Sequence, residues 1–377
     1  MPALGHNVDS NINKTVLKGE MNMNFSKPSL MSRSFRAVWL LALAMILFGW
    51  SGQAMAAKKK PIKLSLSVMW GSKMAFVKDV FPQWNESLKQ ATNGQAEILI
   101  YPGGTLSKAT EAYEGVVQGI SDMAIVAYPL TRGRFPVIET FVLPGVQMNN
   151  SVAATHIFNE GMKKLKPAEH NDAHFLWGFA TGPGEIQSNT PIRNRADLKG
   201  VEMAVNSGNR VHAMKLLGAA PIMMPTPNWY EALQRGVMKS SLIAGEVLKG
   251  YRHYEVNGKY VTVTPYLFNM VFGVVVNKDK WNSLPANVKK ALNVMPKSLP
   301  GLWDKLNAEA YQMNADHKKV EVIYLSEKQH AAWKNIIKPV ADLNKKGLPG
   351  KAVLKQVTKL ADKYNSKYPV VAPYLAK

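Results

Sequence analysis

An α/β fold in two domains is what this sequence predicts, on three observations. Short stretches with period-two alternation take turns with stretches whose apolar residues recur at helical spacing, the mark of strands and helices in succession. The length, 377 residues with 46% hydrophobic content and a mean hydropathy of −0.14, is that of an ordinary globular protein large enough for two cores. Gly182-Pro183-Gly184 is punctuation of the kind found where a chain crosses from one folding unit to the next.

The N-terminus comes first. Arg33 and Arg36 precede an apolar run of 14 residues, Ala37 to Trp50, and Ala54-Met55-Ala56 follows as a small-x-small site. This is the layout of a secretory signal peptide, with cleavage expected after Ala56 and the mature chain starting near Ala57. Residues 1–30 are polar and patternless, and Met31 is the better start. No apolar run reaches the roughly 18 residues a spanning helix needs. There is no cysteine, which removes disulfides, thiolate chemistry and cysteine-type metal sites.

Ile62, Leu64, Leu66 and Val68 alternate with Lys63, Ser65 and Ser67 as a first strand that runs out at Met69-Trp70-Gly71. Phe76, Val77, Val80, Phe81, Trp84 and Leu88 then share one helical face up to Asn93-Gly94, with Pro82 expected to kink or split the helix. Strands follow at Ala96–Tyr101 and Met123–Ala127, with the turn Pro102-Gly103-Gly104 and a helix over Ala109–Gln118 between them. That turn lacks the spaced glycines and the Lys-Ser/Thr of a phosphate loop. His174–Phe179 is another strand.

From Ser188 to Gly236 the pattern is strand, helix, strand, helix. Val201–Val205 alternates; Asn206 and Ser207 are N-cap types; Val211, Met214 and Leu217 keep helical spacing until Gly218 stops them. Pro221–Met224 is a short apolar run. Thr226-Pro227 then starts a helix whose buried stripe is expected to be Tyr230, Leu233 and Val237. The first of these helices begins at the carboxyl end of a strand, where α/β sheets bind ligands and where a helix N-terminus favours an anion. Valines from 261 to 276 form returning strands. A long helical pattern runs from Ala286 to about Lys319, broken at Pro296 and Pro300, and an amphipathic helical tail starts at Ser326.

Within that stretch, Ser188-Asn189-Thr190-Pro191, Asp197-Leu198-Lys199-Gly200, Leu217-Gly218-Ala219-Ala220-Pro221 and Tyr230-Glu231-Ala232-Leu233-Gln234-Arg235-Gly236 stand in order. Together they resemble the solute-binding proteins of tripartite ATP-independent periplasmic (TRAP) transporters, of the dicarboxylate-receptor, DctP-like branch. Tyr101-Pro102-Gly103-Gly104-Thr105-Leu106 and Asn277 through Trp281 with Leu284-Pro285 fit the same resemblance. It implies a two-domain periplasmic-binding-protein-like fold with a hinge, a central cleft and a long domain-spanning helix. One domain would take 57–181 and about 271–310, the other about 182–270 and 311–377 with the C-terminal helices. The implied function is capture of a small organic acid in the periplasm and delivery to membrane permease subunits, by a monomer. A ligand-sensing partner of a membrane sensor is the alternative use of this fold.

The sequence departs from the resemblance where the ligand should sit. The family's strand arginine, after Asp-Leu-Lys-Gly, falls on Ala204, and a second arginine position falls on Gly184. A bidentate clamp on a simple dicarboxylate is therefore missing. An acid group could instead meet Lys108, Arg132, Arg134 or Arg210, or the helix start at Asn206 and Ser207. A larger aromatic ligand could stack on Trp70, Tyr128, Trp229 or Tyr266, and an amine could face Glu185 or Glu202. The expected ligand is a bulky, aromatic or amphoteric acid. Thr226 and Pro265 complete the expected contacts.

No metal-type histidine pair, Gly-x-Ser-x-Gly or Gly-x-Gly-x-x-Gly occurs. No catalytic residue, cofactor or metal is expected. The net charge is +21, and residues 1–56, with 5 Lys/Arg and 2 Asp/Glu, leave +18 for the rest. The lysines are scattered and no nucleic-acid motif accompanies them, so the expectation is a basic solvated surface with no nucleic-acid partner.

Overall fold

The computed structural model describes residues 60–131, 133–343 and 350–370. The expected signal segment, its cleavage site and Arg132 lie outside the described residues.

The chain opens with β1 (Ile62–Ser67), whose Leu64 and Leu66 are fully buried. A π-helical turn, Phe76–Val80, runs directly into α1 (Phe81–Ala91). Pro82 stands in the first turn of α1, where its missing N–H is harmless, and the wider turn before it relieves the clash that a continuous helix would meet. β2 (Ala96–Tyr101), α2 (Ala112–Val117), β3 (Met123–Ala127), α3 (Ser151–Leu165) and β4 (Ala173–Ala180) complete the first pass. Asn150 caps α3 by accepting the Ala153 N–H at 2.8 Å.

The chain then leaves through Gly182-Pro183-Gly184. It forms β5 (Glu185–Ser188), β6 (Glu202–Val205), α4 (Gly208–Leu217), β7 (Ala220–Met223), α5 (Trp229–Gln234), β8 (Ser240–Ile243), α6 (Glu246–Gly250) and β9 (Tyr260–Val263). It returns as β10 (Val271–Asn277), followed by α7 (Lys278–Ser283), α8 (Ala286–Leu292), α9 (Leu302–His317), β11 (Glu321–Tyr324), α10 (Glu327–Ile337) and α11 (Gly350–Asn365).

Two sheets result, in the orders β2-β1-β3-β10-β4 and β11-β9-β5-β8-β6-β7. In the first, β1 is parallel to β2 and β3, while β10 is antiparallel to β3 and β4. In the second, β6 is parallel to β7 and β8, and β5 is antiparallel to β8 and β9. This is the two-lobed α/β arrangement the sequence predicts.

Two crossing segments lie side by side between the sheets. The Thr181 N–H donates to the Met270 carbonyl at 3.0 Å and the Gly184 N–H to the Phe268 carbonyl at 3.0 Å. α9 makes a third connection. At its start Trp303 joins Trp70, Phe76, Phe179 and Phe272 in an aromatic cluster of the first lobe. Near its end Asn314 Nδ2 donates to the Gly258 carbonyl of the second lobe at 2.8 Å. The long helical pattern expected from Ala286 thus becomes two helices, since the prolines at 296 and 300 cannot sit inside one.

Two expectations need correction. Val237 is exposed because α5 ends at Gln234, and fully buried Trp229 takes its place on the inner stripe. α11, expected with the second domain, packs on α3 of the first lobe. There Asn149 N–H donates to Asn365 Oδ1 at 3.0 Å and Lys363 pairs with Glu160 at 2.6 Å.

Candidate ligand-binding cleft

A cavity of about 840 Å³ lies at the carboxyl ends of strands from both lobes. Met69 and Trp70 follow β1, the turn carrying Gly103, Gly104 and Lys108 follows β2, and Pro129 and Leu130 follow β3. The second lobe contributes Asn206 to Asn209 between β6 and α4, His212, Met223 to Pro227 after β7, and Tyr251. This is where an α/β sheet leaves a crevice, because each strand end turns away into a loop or helix. The walls are largely apolar. Lys108 and His212 are exposed there, and the start of α4 presents Ser207 at its N-cap without a side-chain capping bond.

Four of the sequence-expected contacts come together in this cavity: Trp70, Asn206, Ser207 and Thr226. Trp70 offers little more than an edge. It is 7% exposed, stacked on Phe76 at 4.9 Å and edge-on to Phe272 at 5.1 Å.

The remaining seven are held elsewhere. Tyr128 comes one residue after the end of β3, and its ring is turned into the core, where its hydroxyl meets His170 Nε2 at 2.7 Å. Trp229 is fully buried and its indole N–H donates to the Met224 carbonyl at 2.9 Å, so it secures the cavity-lining loop from behind. Tyr266 is buried against α10, its hydroxyl 3.2 Å from His330 Nδ1, and Pro265 beside it is half-buried. Glu185 is buried and accepts the Thr264 N–H; lacking any ion pair there, its carboxyl is pushed by burial up to about 8.

Ala204 is fully buried on β6. Gly184 is closed in by backbone. A Cβ there would stand 2.6 Å from the Ala244 nitrogen, against the Ile243 carbonyl carbon and on Phe268. The chain thus has no room, as packed, for a side chain at that position.

The other candidate charges separate cleanly. Glu202 is paired with Lys239 at 3.1 Å. Arg134 is committed to Glu114 at 3.0 Å and Asp172 at 2.6 Å, and its guanidinium lies 5.0 Å from the Phe135 ring centre. Arg210, in the first turn of α4, is fully buried. Its Nη1 donates to Asn206 Oδ1 at 2.6 Å and its Nη2 to the Asn269 carbonyl, and burial pulls its pKa down to about 9. Among the described residues no three or more His, Asp or Glu side chains gather in a way that could hold a metal ion.

Sequence reasoning missed Leu130, His212, Met223, Met224 and Tyr251. The rule that ligands sit beyond strand carboxyl ends pointed to Met223 and Met224, which close β7, and to Leu130 just after β3.

Residues 66–346 match the family described as bacterial extracellular solute-binding protein, family 7 (DctP). The chain belongs to that family. This solute-binding protein is 31% identical to a TRAP periplasmic solute-binding protein from Desulfovibrio salexigens, with a TM-score of 0.74 over 81% of this chain and 97% of the other. It is 28% identical over 272 residues to the C4-dicarboxylate-binding periplasmic protein DctP of Rhodobacter capsulatus, covering 69% of this chain and 80% of that one. A TRAP solute-binding protein from Rhodoferax ferrireducens, solved with copurified benzoate, shares the fold at 22% identity and a TM-score of 0.73, over 81% and 99% of the two chains. The solute-binding protein is thus a receptor of the TRAP kind, of a periplasmic family whose members bind small ligands and work with membrane permease components. No helix among the described residues is long and apolar enough to cross a membrane.

Proposed function

We propose that this receptor captures an organic acid with a bulky aromatic or amphoteric body rather than a short dicarboxylate. The observation that carries the reading is the cleft itself. About 840 Å³ of space is walled by Met69, Trp70, Leu130, Val142, Met223 and Met224, while both clamp positions, Ala204 and Gly184, have no side chain to reach an acid. A desolvated carboxylate without a strong partner costs more than the few kcal/mol of a neutral polar group, so a dicarboxylate is doubly penalised. A flat apolar body gains from burial at roughly 25 cal/mol per Å². The benzoate carried by the R. ferrireducens protein is a ligand of this shape.

In this reading the signal segment is removed on export and the mature chain acts as a monomer without catalysis. Ligand contacting both lobes favours a closed form, which the membrane permease recognises. Calorimetry with benzoate and succinate tests the ligand class. Benzoate should bind at least about tenfold more tightly, a difference of about 1.4 kcal/mol. Tighter binding of succinate would overturn the reading.

A further inference from the structure

Arg210 is a buried cation that no acid answers. Its side chain is inaccessible, its two terminal nitrogens donate only to the neutral Asn206 amide oxygen and the Asn269 carbonyl, and its Nε has no hydrogen-bond partner. Its guanidinium carbon stands 4.1 Å from the centre of the Phe268 ring, a contact that tolerates a cation without neutralising it. Such a lone buried charge destabilises a fold, and an apolar residue of similar volume commonly serves stability better.

Its place explains why it is there. Asn206, its partner at 2.6 Å, lines the cavity. Phe268, on which it lies, is bridged to Gly184, and Ala204 is two residues before Asn206 at the end of β6. The guanidinium thus lies on the residue bridged to one position at which the family resemblance implies an arginine, and bonds the residue two places after the other, delivered from α4 instead of from a strand. It also occupies the first turn of a ten-residue helix, where the backbone N–H groups favour negative charge.

Building on the proposed capture of a bulky acid, we infer that Arg210 is the group that receives the ligand's carboxylate, with the Asn206 amide yielding its place at Nη1 as the acid enters. The carboxylate supplies the counter-charge that neither Asn206 nor Asn269 can give. Because Nη2 holds the Asn269 carbonyl and Asn269 Nδ2 donates to the Phe141 carbonyl of the first lobe at 3.1 Å, the acid is engaged at the seam between the lobes.

The test compares the unmodified receptor with R210M and R210Q by calorimetry with benzoate and by thermal melting without ligand. R210M is expected to melt at the same or a higher temperature than the unmodified protein, while benzoate affinity falls at least thirtyfold in both variants. A merely structural arginine gives the opposite pattern, a lowered melting temperature with unchanged affinity, and that result overturns the assignment while leaving the acid reading intact. Should R210M fail to fold, R210Q, which can still donate to the Asn269 carbonyl, gives the deciding affinity. An unmodified receptor that binds no benzoate overturns the assignment and the broader reading together.

Discussion

At Gly184 the backbone packing leaves no room for the arginine that the family resemblance implies. Restoring the family arginine there, as Gly184→Arg, forces its Cβ onto the backbone of Ile243 and Ala244. We expect a loss of at least about 2 kcal/mol in thermal or urea unfolding and no gain in succinate affinity. Succinate binding by a variant of unchanged stability would show that the seam can part. Trp70 calls for a gentler substitution. Alanine would remove a member of the five-ring cluster and cost about 3–5 kcal/mol, which obscures any effect on ligand. Trp70→Phe keeps the stacking on Phe76 and trims the edge that reaches the cavity. Benzoate affinity should fall by about 0.5–1.5 kcal/mol with little change in melting temperature; equal affinity would remove Trp70 from the contact set. Sequence placed Trp70, Asn206, Ser207 and Thr226 at strand and helix ends, and all four line the cavity. It could not tell that Tyr128 turns inward. The residue that leaves a strand can turn either way, and the choice is made by His170 and Phe135, which come from later in the chain.

The legible elements are those with a local cause. The bounds of the strands at 96–101 and 123–127 emerge as expected, and Gly218 ends α4 in the left-handed conformation that glycine favours, with φ of 105°. β8 and β11 were missed: four residues each, Ser240–Ile243 and Glu321–Tyr324 have no room to display a period. The tail was legible as amphipathic but not as to partner, since burial of Val353, Val357 and Leu360 announces a face and not what covers it. The start of α10 is the clearest local signal in that region. Ser326 accepts the Gln329 N–H at 3.3 Å while Gln329 Oε1 accepts the Ser326 N–H at 2.8 Å, a reciprocal cap. Ser326→Ala should cost about 1 kcal/mol, read as a fall in the unfolding midpoint; an unchanged midpoint would mean that α10 is held by its packing alone.

Across the whole molecule, buried acids set the response to pH. Burial pushes Glu185 up to about 8 and Glu246 up to about 7. Both hold a proton in the folded state that the unfolded chain releases near its ordinary value of 4.5, so stability falls as pH rises through that interval. His170 and His253, lowered by burial to about 4, work the other way and only below their ordinary 6.5. The two effects oppose one another between about 4.5 and 6.5, and the glutamates act alone from there to about 8. Melting temperature should therefore decline from pH 6.5 to 8. Glu185→Gln, whose amide oxygen can still accept the Thr264 N–H, should flatten most of that decline. A level profile in the unmodified protein would contradict the buried-acid account.

The order of strands in the first sheet also dictates when this protein can become itself. β10 lies between β3 and β4, yet it is made only after the chain has been through β5 to β9, and α11, which covers α3, comes last. A chain delivered from its N-terminus leaves β3 and β4 each with an unpaired edge until residue 277 has emerged, and the first lobe keeps a bare flank until Gly350–Asn365 follows. The second lobe waits in turn for β11. Nascent chains halted at residue 270 should accordingly be cut by protease throughout, where the finished protein resists. The first sheet therefore closes only when residue 277 has emerged, after most of the second sheet has already been made.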